Sequence, residues 1–132
     1  MVTLHLDHHW LVDYFEVDPD LYEFQDYGAR LPALGEWRFD ARFPEGRAAW
    51  LEKRFSLQPT DTCVRYLLHL ASVPAGAELS VNGRRFGVIS TPCAINVTDY
   101  VTLDENRIAF RVLSGAEGVF GDVRLSAVPC EE

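Results

Sequence analysis

Four side chains near the start of the chain could bind a metal ion. His5, Asp7, His8 and His9 combine imidazole and carboxylate groups, which suit zinc or nickel. In one extended strand, His5, Asp7 and His9 would share a face and His8 would lie on the other. A zinc site would also need a fourth ligand, and the sequence signals none. We therefore expect a solvated sheet face here and no metal centre.

The negative charge of the chain is concentrated in residues 1–29. These residues hold seven acidic side chains and no lysine or arginine, in a chain of net charge −8. Carboxylates suit a hard cation such as calcium, with Asp18, Asp20 and Asp26 as candidate ligands. Their spacing matches no known calcium loop, so we predict no cofactor and leave a structural calcium open. Asp18 and Asp20 could also form a glycosidase pair, but an exposed acidic loop is the simpler interpretation.

Aromatic and polar residues between positions 22 and 38 could bind a sugar. Sugar recognition combines an aromatic face, which packs against C–H groups, with polar groups that hydrogen-bond to hydroxyls. The candidate carbohydrate-binding residues are Tyr22, Asp26, Tyr27, Arg30, Trp37 and Arg38. The alternative is that the aromatic side chains pack beneath a long loop. Core packing is also the simpler explanation for the three tryptophans, which are Trp10, Trp37 and Trp50.

The chain carries no motif of a known catalytic class. Nucleophile-elbow, zinc-protease, P-loop and dinucleotide-binding patterns are all absent from the sequence. Cys63 and Cys93 could act as nucleophiles beside His69, but thiols in strands are more often buried and structural. With Cys130 they make an odd, widely spaced set, which favours reduced thiols. We predict that the chain is not an enzyme and lies in the cytoplasm.

Strands must position these residues, because the hydrophobic pattern after residue 37 has a period of two. Residues 63–72, for example, alternate between an apolar and a mixed face. About eight short strands, among them segments near residues 4–12 and 37–43, and a candidate helical turn over 18–27 predict an all-β, two-sheet antiparallel sandwich, with residues 1–132 as one domain. Asn82-Gly83 lies between two alternating segments and predicts a tight hairpin turn. Arg84 and Arg85 follow and are expected in a solvated turn.

Six motifs occur in order between residues 4 and 128: LDHHWLV, LGEWRFD, AAWLEKRFSL, LSVNGRRFGVI, INVTDYVTLDENRIAFRV and EGVFGDVRL. In this order they resemble the N-terminal sugar-binding jelly roll of glycoside hydrolase family 2, a galactose-binding domain-like β-sandwich. The resemblance implies that catalytic carboxylates lie on a separate barrel domain. It implies a fold more firmly than an activity.

Charge and composition restrict the partners. Nucleic acid and anionic membranes attract positive charge, so a chain of net charge −8 is a poor partner for both. The sequence has no apolar run of the ~20 residues that a membrane span needs, and its start does not resemble a leader peptide. Two functions remain open. One is a non-catalytic, stand-alone sandwich that binds carbohydrate. The other is a structural or protein-interaction subunit, or a homo-oligomer, that keeps the fold without a sugar ligand.

Overall fold

The computed structural model describes residues 2–13, 29–36, 48–60, 62–113 and 116–130. Within these ranges the secondary structure is almost entirely strand, with one turn of 3-10 helix at Leu34–Glu36. The strands are β1 (Val2–His5), β2 (His8–Asp13), β3 (Ala29–Ala33), β4 (Ala48–Phe55), β5 (Val64–Leu70), β6 (Glu78–Val81), β7 (Arg84–Val88), β8 (Cys93–Asn96), β9 (Asn106–Leu113) and β10 (Val123–Pro129). The all-β prediction is confirmed. No helical segment in the described ranges has the length and hydropathy of a membrane span.

The strands form two antiparallel sheets, as the sequence predicted. The smaller sheet has the order β1-β10-β5-β8 and the larger one the order β3-β2-β4-β9-β6-β7. Strands that follow each other along the chain often lie in opposite sheets, such as β5 and β6 or β9 and β10. The two sheets pack face to face around one apolar core, which is the β-sandwich arrangement.

Alternate residues of the strands point inward and form the core. In β9, Ile108, Phe110 and Val112 are almost completely buried. Trp10 from β2 stacks on Phe110 with ring centroids 5.6 Å apart, and its indole nitrogen donates a hydrogen bond to the carbonyl of Leu6. The core role predicted for Trp10 is therefore confirmed, and its one polar atom is satisfied.

The described residues contain ten strands, against about eight predicted. The strand expected over residues 4–12 is divided at Leu6-Asp7, where the chain leaves the four-stranded sheet for the six-stranded sheet. β3 and β8 are short and were not expected, because neither shows clear alternation. The strand predicted over residues 37–43 and the helical turn predicted over 18–27 lie outside the described residues.

The change of sheet between β1 and β2 determines how the histidine-rich start of the chain is arranged. β1 ends at His5 and β2 begins at His8, and His9 has a φ of 59°. A single strand face shared by His5, Asp7 and His9 was therefore a wrong prediction. Asp7 instead pairs locally, with its Oδ1 3.1 Å from Nδ1 of His8. In the part of the chain that the structure describes, no group of three or more His, Cys, Asp or Glu residues could hold a metal ion.

Cys63 and Cys130 form a disulfide, which corrects the prediction of three reduced thiols. In the antiparallel pair of β5 and β10, Val64 lies opposite Pro129. The cysteines are the next residues outward, so they face each other, with Cα atoms 5.5 Å apart. Spacing could not show this pairing, because the two residues are 67 positions apart in the sequence. Cys93 is the remaining free thiol.

Candidate functional site

A pocket of about 250 Å³ opens on the outer face of the six-stranded sheet, away from the core. Four neighbouring strands, in the spatial order β4, β9, β6 and β7, contribute its lining. The lining residues are Trp50, Glu78, Leu79, Ser80, Arg85, Gly87 and Arg111. We refer to this site as the sheet-face pocket.

Strand register explains why these side chains meet. Trp50 lies opposite Arg111 in the β4–β9 pair, and Arg111 lies opposite Glu78 in the β9–β6 pair. Side chains at paired positions point to the same face of a sheet. Their chain neighbours Leu51 and Leu79 are buried in the core. The row Trp50–Arg111–Glu78 therefore crosses the outer face.

The burial predicted for Trp50 is confirmed, but its side chain lies on the outer face of the six-stranded sheet. Its side chain is 8% exposed, yet it does not belong to the core cluster between the sheets. In β4, five consecutive residues from Ala48 to Glu52 are buried. Burial on both faces removes the period-two signal, so the sequence could not show which way Trp50 points.

An ion pair forms the charged side of the sheet-face pocket. Nη1 of Arg111 donates to Oε2 of Glu78 across 2.9 Å. The Arg111 side chain is 19% exposed and that of Glu78 is 42% exposed. A guanidinium has five N–H donors and a carboxylate has several acceptor positions, so both groups can also hydrogen-bond to a ligand. The pair fixes two polar groups beside Trp50.

A β-bulge shapes the opposite side of the pocket. The register of β6 and β7 shifts between Leu79 and Ser80, so that Leu79 lies opposite Gly87 and Ser80 opposite Arg85. Phe86 is the extra residue and packs against the core. Gly87 has a φ of 76°, and a Cβ there would meet no atom within 4 Å. The bulge therefore brings Arg85 beside Ser80 and leaves the adjoining position without a side chain.

The lining residues of the sheet-face pocket offer hydrogen-bond donors and acceptors beside an apolar wall. Trp50 supplies an apolar wall, Arg85 and Arg111 supply donors, Glu78 supplies an acceptor, and Ser80 can act as either. Sugar sites combine apolar surface with a few fixed polar groups in this way. Sequence analysis assigned Arg85 to a solvated turn. Its side chain is indeed exposed, but it also lines the pocket.

A second pocket of about 250 Å³ lies at the four-stranded sheet. His69 and Cys93, which the sequence suggested as a catalytic pair, both line it, together with Asp122 and Arg124. Burial raises the pKa of the Cys93 thiol. A raised pKa keeps the thiol protonated, which makes it a weak nucleophile. This result supports the structural interpretation of Cys93, and the other proposed nucleophile, Cys63, is held in the disulfide.

The residues that sequence analysis proposed for sugar binding are not tested by the structure. Arg30 lies in β3, where its backbone pairs with Leu11 of β2. The others lie outside the described residues: Tyr22, Asp26, Tyr27, Trp37 and Arg38. The candidate calcium ligands Asp18 and Asp20 do so too. These assignments stay predictions.

The sequence pattern does not reveal the sheet-face pocket. Glu78 and Ser80 alternate with Leu79 and Val81, which predicts that they face outward, but polar side chains on an outer face are usual and carry no functional signal. Arg111 comes from a strand more than 30 residues further along the chain. The predicted Asn82-Gly83 turn brings Arg85 to Glu78 and Ser80, and the pairing of β9 with β6 adds Arg111. That pairing cannot be obtained from periodicity.

No protein-family model matches this sequence, and no curated protein is significantly similar to it. Solved structures do match. Bacteroides uniformis β-glucuronidase is 20% identical with a TM-score of 0.74, over 97% of this chain and 18% of that chain. A β-glucuronidase from an uncultured Clostridium species is 17% identical with a TM-score of 0.73, over 97% of this chain and 29% of that one. A calcium-binding mutant of Bacteroides uniformis β-glucuronidase 2 is 20% identical with a TM-score of 0.70, over 97% of this chain and 18% of that one.

Likeness at these identities concerns the fold. The chain covers nearly all of its own length in each comparison but less than a third of each enzyme. The similarity is therefore to one domain of a larger protein. The resemblance predicted from the sequence motifs is confirmed: the chain has the fold of a β-sandwich domain of glycoside hydrolase family 2 enzymes.

Proposed function

We propose that this chain is a non-catalytic β-sandwich that binds carbohydrate in the sheet-face pocket. The observation that carries the proposal is the convergence of Trp50, Glu78, Ser80, Arg85 and Arg111 on one concave site. Their chemistry matches that of a sugar, which has apolar C–H faces and a periphery of hydroxyl groups. The structural likeness to enzymes that act on carbohydrate supports the same ligand class.

The pocket volume limits the size of the ligand. Sites for drug-sized molecules usually have volumes of about 300–1,000 Å³. At about 250 Å³ the sheet-face pocket lies just below that range. This size suits one sugar unit, or the end of a longer chain, and we assign that ligand to it.

The carboxylates of the pocket support binding and not hydrolysis. Glycoside hydrolysis usually requires two carboxyl groups about 5–9.5 Å apart on either side of the scissile bond. Glu78 is the one carboxylate among the residues that line the described pocket. No cofactor is part of the proposed role.

The compartment in which the chain works is a separate question. Sequence analysis favoured the cytoplasm, partly because it expected reduced cysteines. The Cys63–Cys130 disulfide instead favours an oxidising compartment. A cytoplasmic location stays a prediction, and reduced cysteines no longer support it.

The proposal is tested by calorimetric titration of the chain with a panel of neutral and acidic monosaccharides and disaccharides. Ser80→Leu should weaken binding of any sugar that the wild type binds by at least about tenfold, because the larger side chain fills the pocket. Ser90→Leu is the matched control, since Ser90 is exposed and does not line the pocket. Thermal melting of both variants shows whether they fold.

Three results would contradict parts of the proposal. If Ser80→Leu binds sugar normally and Tyr27→Ala does not, the site lies in the N-terminal segment that the sequence indicated. If Ser90→Leu weakens binding equally, the effect is not specific to the pocket. If no sugar of the panel binds, carbohydrate recognition is wrong.

A structural or protein-interaction role is the second candidate. Val88 and Leu113 favour it, because these apolar side chains are 65% and 45% exposed. Val88 lies opposite Glu78 and therefore on the face that carries the pocket. Absence of sugar binding together with concentration-dependent self-association in sedimentation would favour this role.

A further inference from the structure

The outer face of the four-stranded sheet differs in charge from the rest of the chain. In its strands, all of which the structure describes, the outward positions hold basic side chains and no aspartate or glutamate. The basic residues are His5 in β1, Arg65 and His69 in β5, and Arg124 in β10. The whole chain has 20 acidic residues against 12 lysines and arginines. A basic face is therefore unexpected from the composition.

Strand register brings three of these side chains into one row. Arg124 lies opposite His5 in the β1–β10 pair and opposite His69 in the β10–β5 pair. The neighbouring residues Leu68 and Leu125 are buried in the core, so the three basic side chains point outward together. Side chains at such paired positions have Cβ atoms about 4.5–5.5 Å apart. We refer to His5, Arg124 and His69 as the basic row.

The basic row lacks the ion pairs that balance charge on the six-stranded sheet. There, Arg111 lies opposite Glu78 and bonds to it. Among the residues that the structure describes, none forms an ion pair with Arg124, although Asp122 lies two positions before it. Histidine gains its charge between pH 5 and 8, and like charges at opposite positions destabilise a sheet. An anion held by the three groups would remove this repulsion.

A pocket of about 250 Å³ lies at the His69 end of the basic row. His69 and Arg124 line it together with Asp122 and Cys93. Cys93 adds no charge, because burial raises the pKa of its thiol. Asp122 is the one carboxylate of this lining, and it offsets the charge of Arg124. Protonation of His69 and His5 therefore makes the site positive.

The arrangement of donors favours a tetrahedral anion over a planar one. His5 and His69 lie on strands two positions apart, which are separated by about 10 Å, and Arg124 lies between them. Donors therefore approach from three directions, and a guanidinium can supply two parallel N–H···O bonds. Sulfate and phosphate present oxygens in four directions, whereas a carboxylate presents two oxygens in one plane. The net charge of −8 disfavours a large polyanion, which would meet acidic surface beyond the row.

We propose that the basic row binds a sulfate or phosphate group, with Arg124 at the centre and His5 and His69 on either side. The group belongs to a free inorganic ion or to a sugar ester, since the same three donors recognise both. The site lies on the sheet opposite the sheet-face pocket. It does not depend on the proposed carbohydrate-binding function.

Sulfate is the probe for the test, because its charge does not change near neutral pH, whereas that of phosphate does. Sodium sulfate replaces sodium chloride at constant ionic strength, which keeps general screening the same. The ring C–H resonances of His5 and His69 should shift and reach saturation in NMR spectra. Arg124→Gln should weaken sulfate binding by at least about tenfold, because a charge-assisted hydrogen bond is lost. Binding should be at least about threefold tighter at pH 6 than at pH 8, because the imidazoles gain charge.

Arg65→Gln is the matched control, because it removes the same charge from the same face. Arg65 is exposed and lies opposite Val128, outside the basic row. The control should leave the affinity for sulfate unchanged. An equal loss in Arg65→Gln and Arg124→Gln would assign the binding to overall charge and would overturn the proposal.

Further arms test the histidines and the shape of the anion. The double variant His5→Gln and His69→Gln should lose the pH dependence, and an unchanged pH dependence would remove both histidines from the site. Asp122→Asn should strengthen binding, because it removes the lining carboxylate. Acetate bound as tightly as sulfate would overturn the tetrahedral anion. Shifts that grow linearly without saturation would overturn the site itself.

Glucose 6-sulfate distinguishes the two sources of the anion. If it binds more tightly than sulfate, the ligand is a sugar ester; if it binds equally or more weakly, the ligand is the free ion. Thermal melting of each variant shows whether it folds. The pH dependence and the acetate comparison use wild-type chain, so they test the proposal even where Arg124→Gln fails to fold.

Discussion

Asn82 and Asn106 are joined by a hydrogen bond of 3.0 Å from Nδ2 of the first to Oδ1 of the second. The bond links the β6–β7 turn to the start of β9. Nδ2 of Asn82 also donates to the carbonyl of Tyr100, and its Oδ1 accepts from the backbone N–H of Arg107. The turn residue therefore holds together the strands that carry Arg85 and Arg111, on either side of the sheet-face pocket.

Asn82→Gly should destabilise the chain. Glycine accepts the φ of 49° found here, so the change removes the amide hydrogen bonds without straining the turn. Three hydrogen bonds are lost, each with a net contribution of about 0.5–1.5 kcal/mol. We therefore expect the free energy of unfolding, measured by urea denaturation, to fall by about 2–4 kcal/mol. Asn82→Asp keeps the acceptor for Arg107 but places an oxygen against the carbonyl of Tyr100 and Oδ1 of Asn106, so it should not restore the stability. A free energy of unfolding equal to that of wild type would show that the amide has no such role.

Gly83→Val should destabilise the same turn for a different reason. Gly83 has a φ of 82°, and a Cβ there would meet no atom within 4 Å. The cost therefore comes from the backbone, and we expect about 1–3 kcal/mol in thermal or urea unfolding. Gly83→Asn, which tolerates positive φ, should lose much less. If valine and asparagine cost the same, the turn does not have the conformation described.

Reduction of the Cys63–Cys130 disulfide should strongly destabilise the chain. The bridge joins residues 67 positions apart. In the chain-entropy model, closing a loop of that length raises the free energy of the unfolded chain by about 4 kcal/mol. Cys63→Ser should show a similar loss in urea, and Cys93→Ser should not. Oxidised protein, unfolded in denaturant without reductant, should titrate one thiol. Three titratable thiols in that sample would contradict the disulfide.

The thiol of Cys93 should react slowly. Burial raises its pKa above the ordinary value of 9.0, so at pH 8 the native chain should be alkylated by iodoacetamide more slowly than the urea-unfolded chain. As the pH rises, the thiol of the unfolded chain ionises before that of the folded chain. Cys93 therefore contributes to stability below pH 9.0, and this contribution is lost as the pH rises through the folded pKa. Cys93→Ser should abolish the reaction. Equal rates in the native and unfolded chains would contradict a shielded thiol.

The sequence was sufficient for those features that local chemistry determines. Alternation predicted the sheets, the Asn82-Gly83 pair predicted the hairpin, and Trp10 was correctly placed in the core. Each of these depends on residues close together in the chain, or on the distinction between a buried and a solvated face.

What the sequence could not show depends on strand register. The disulfide requires β5 to lie beside β10, and the sheet-face pocket requires β4, β9, β6 and β7 to be neighbours in that order. The outward direction of Trp50 was hidden because both faces of β4 are buried. Such pairings between distant segments have no periodic signal.

The position of the bound sugar can be mapped in one titration of ¹⁵N-labelled chain, using glucuronate as the probe and glucose as its neutral match. We expect the ¹H–¹⁵N shift changes at saturation to cluster at Glu78, Ser80, Arg85, Gly87 and Arg111, together with the indole N–H of Trp50. Changes confined to residues 14–28 and 37–47, or to the pocket around His69 and Arg124, would contradict binding at the sheet-face pocket. So would an unchanged spectrum with both sugars.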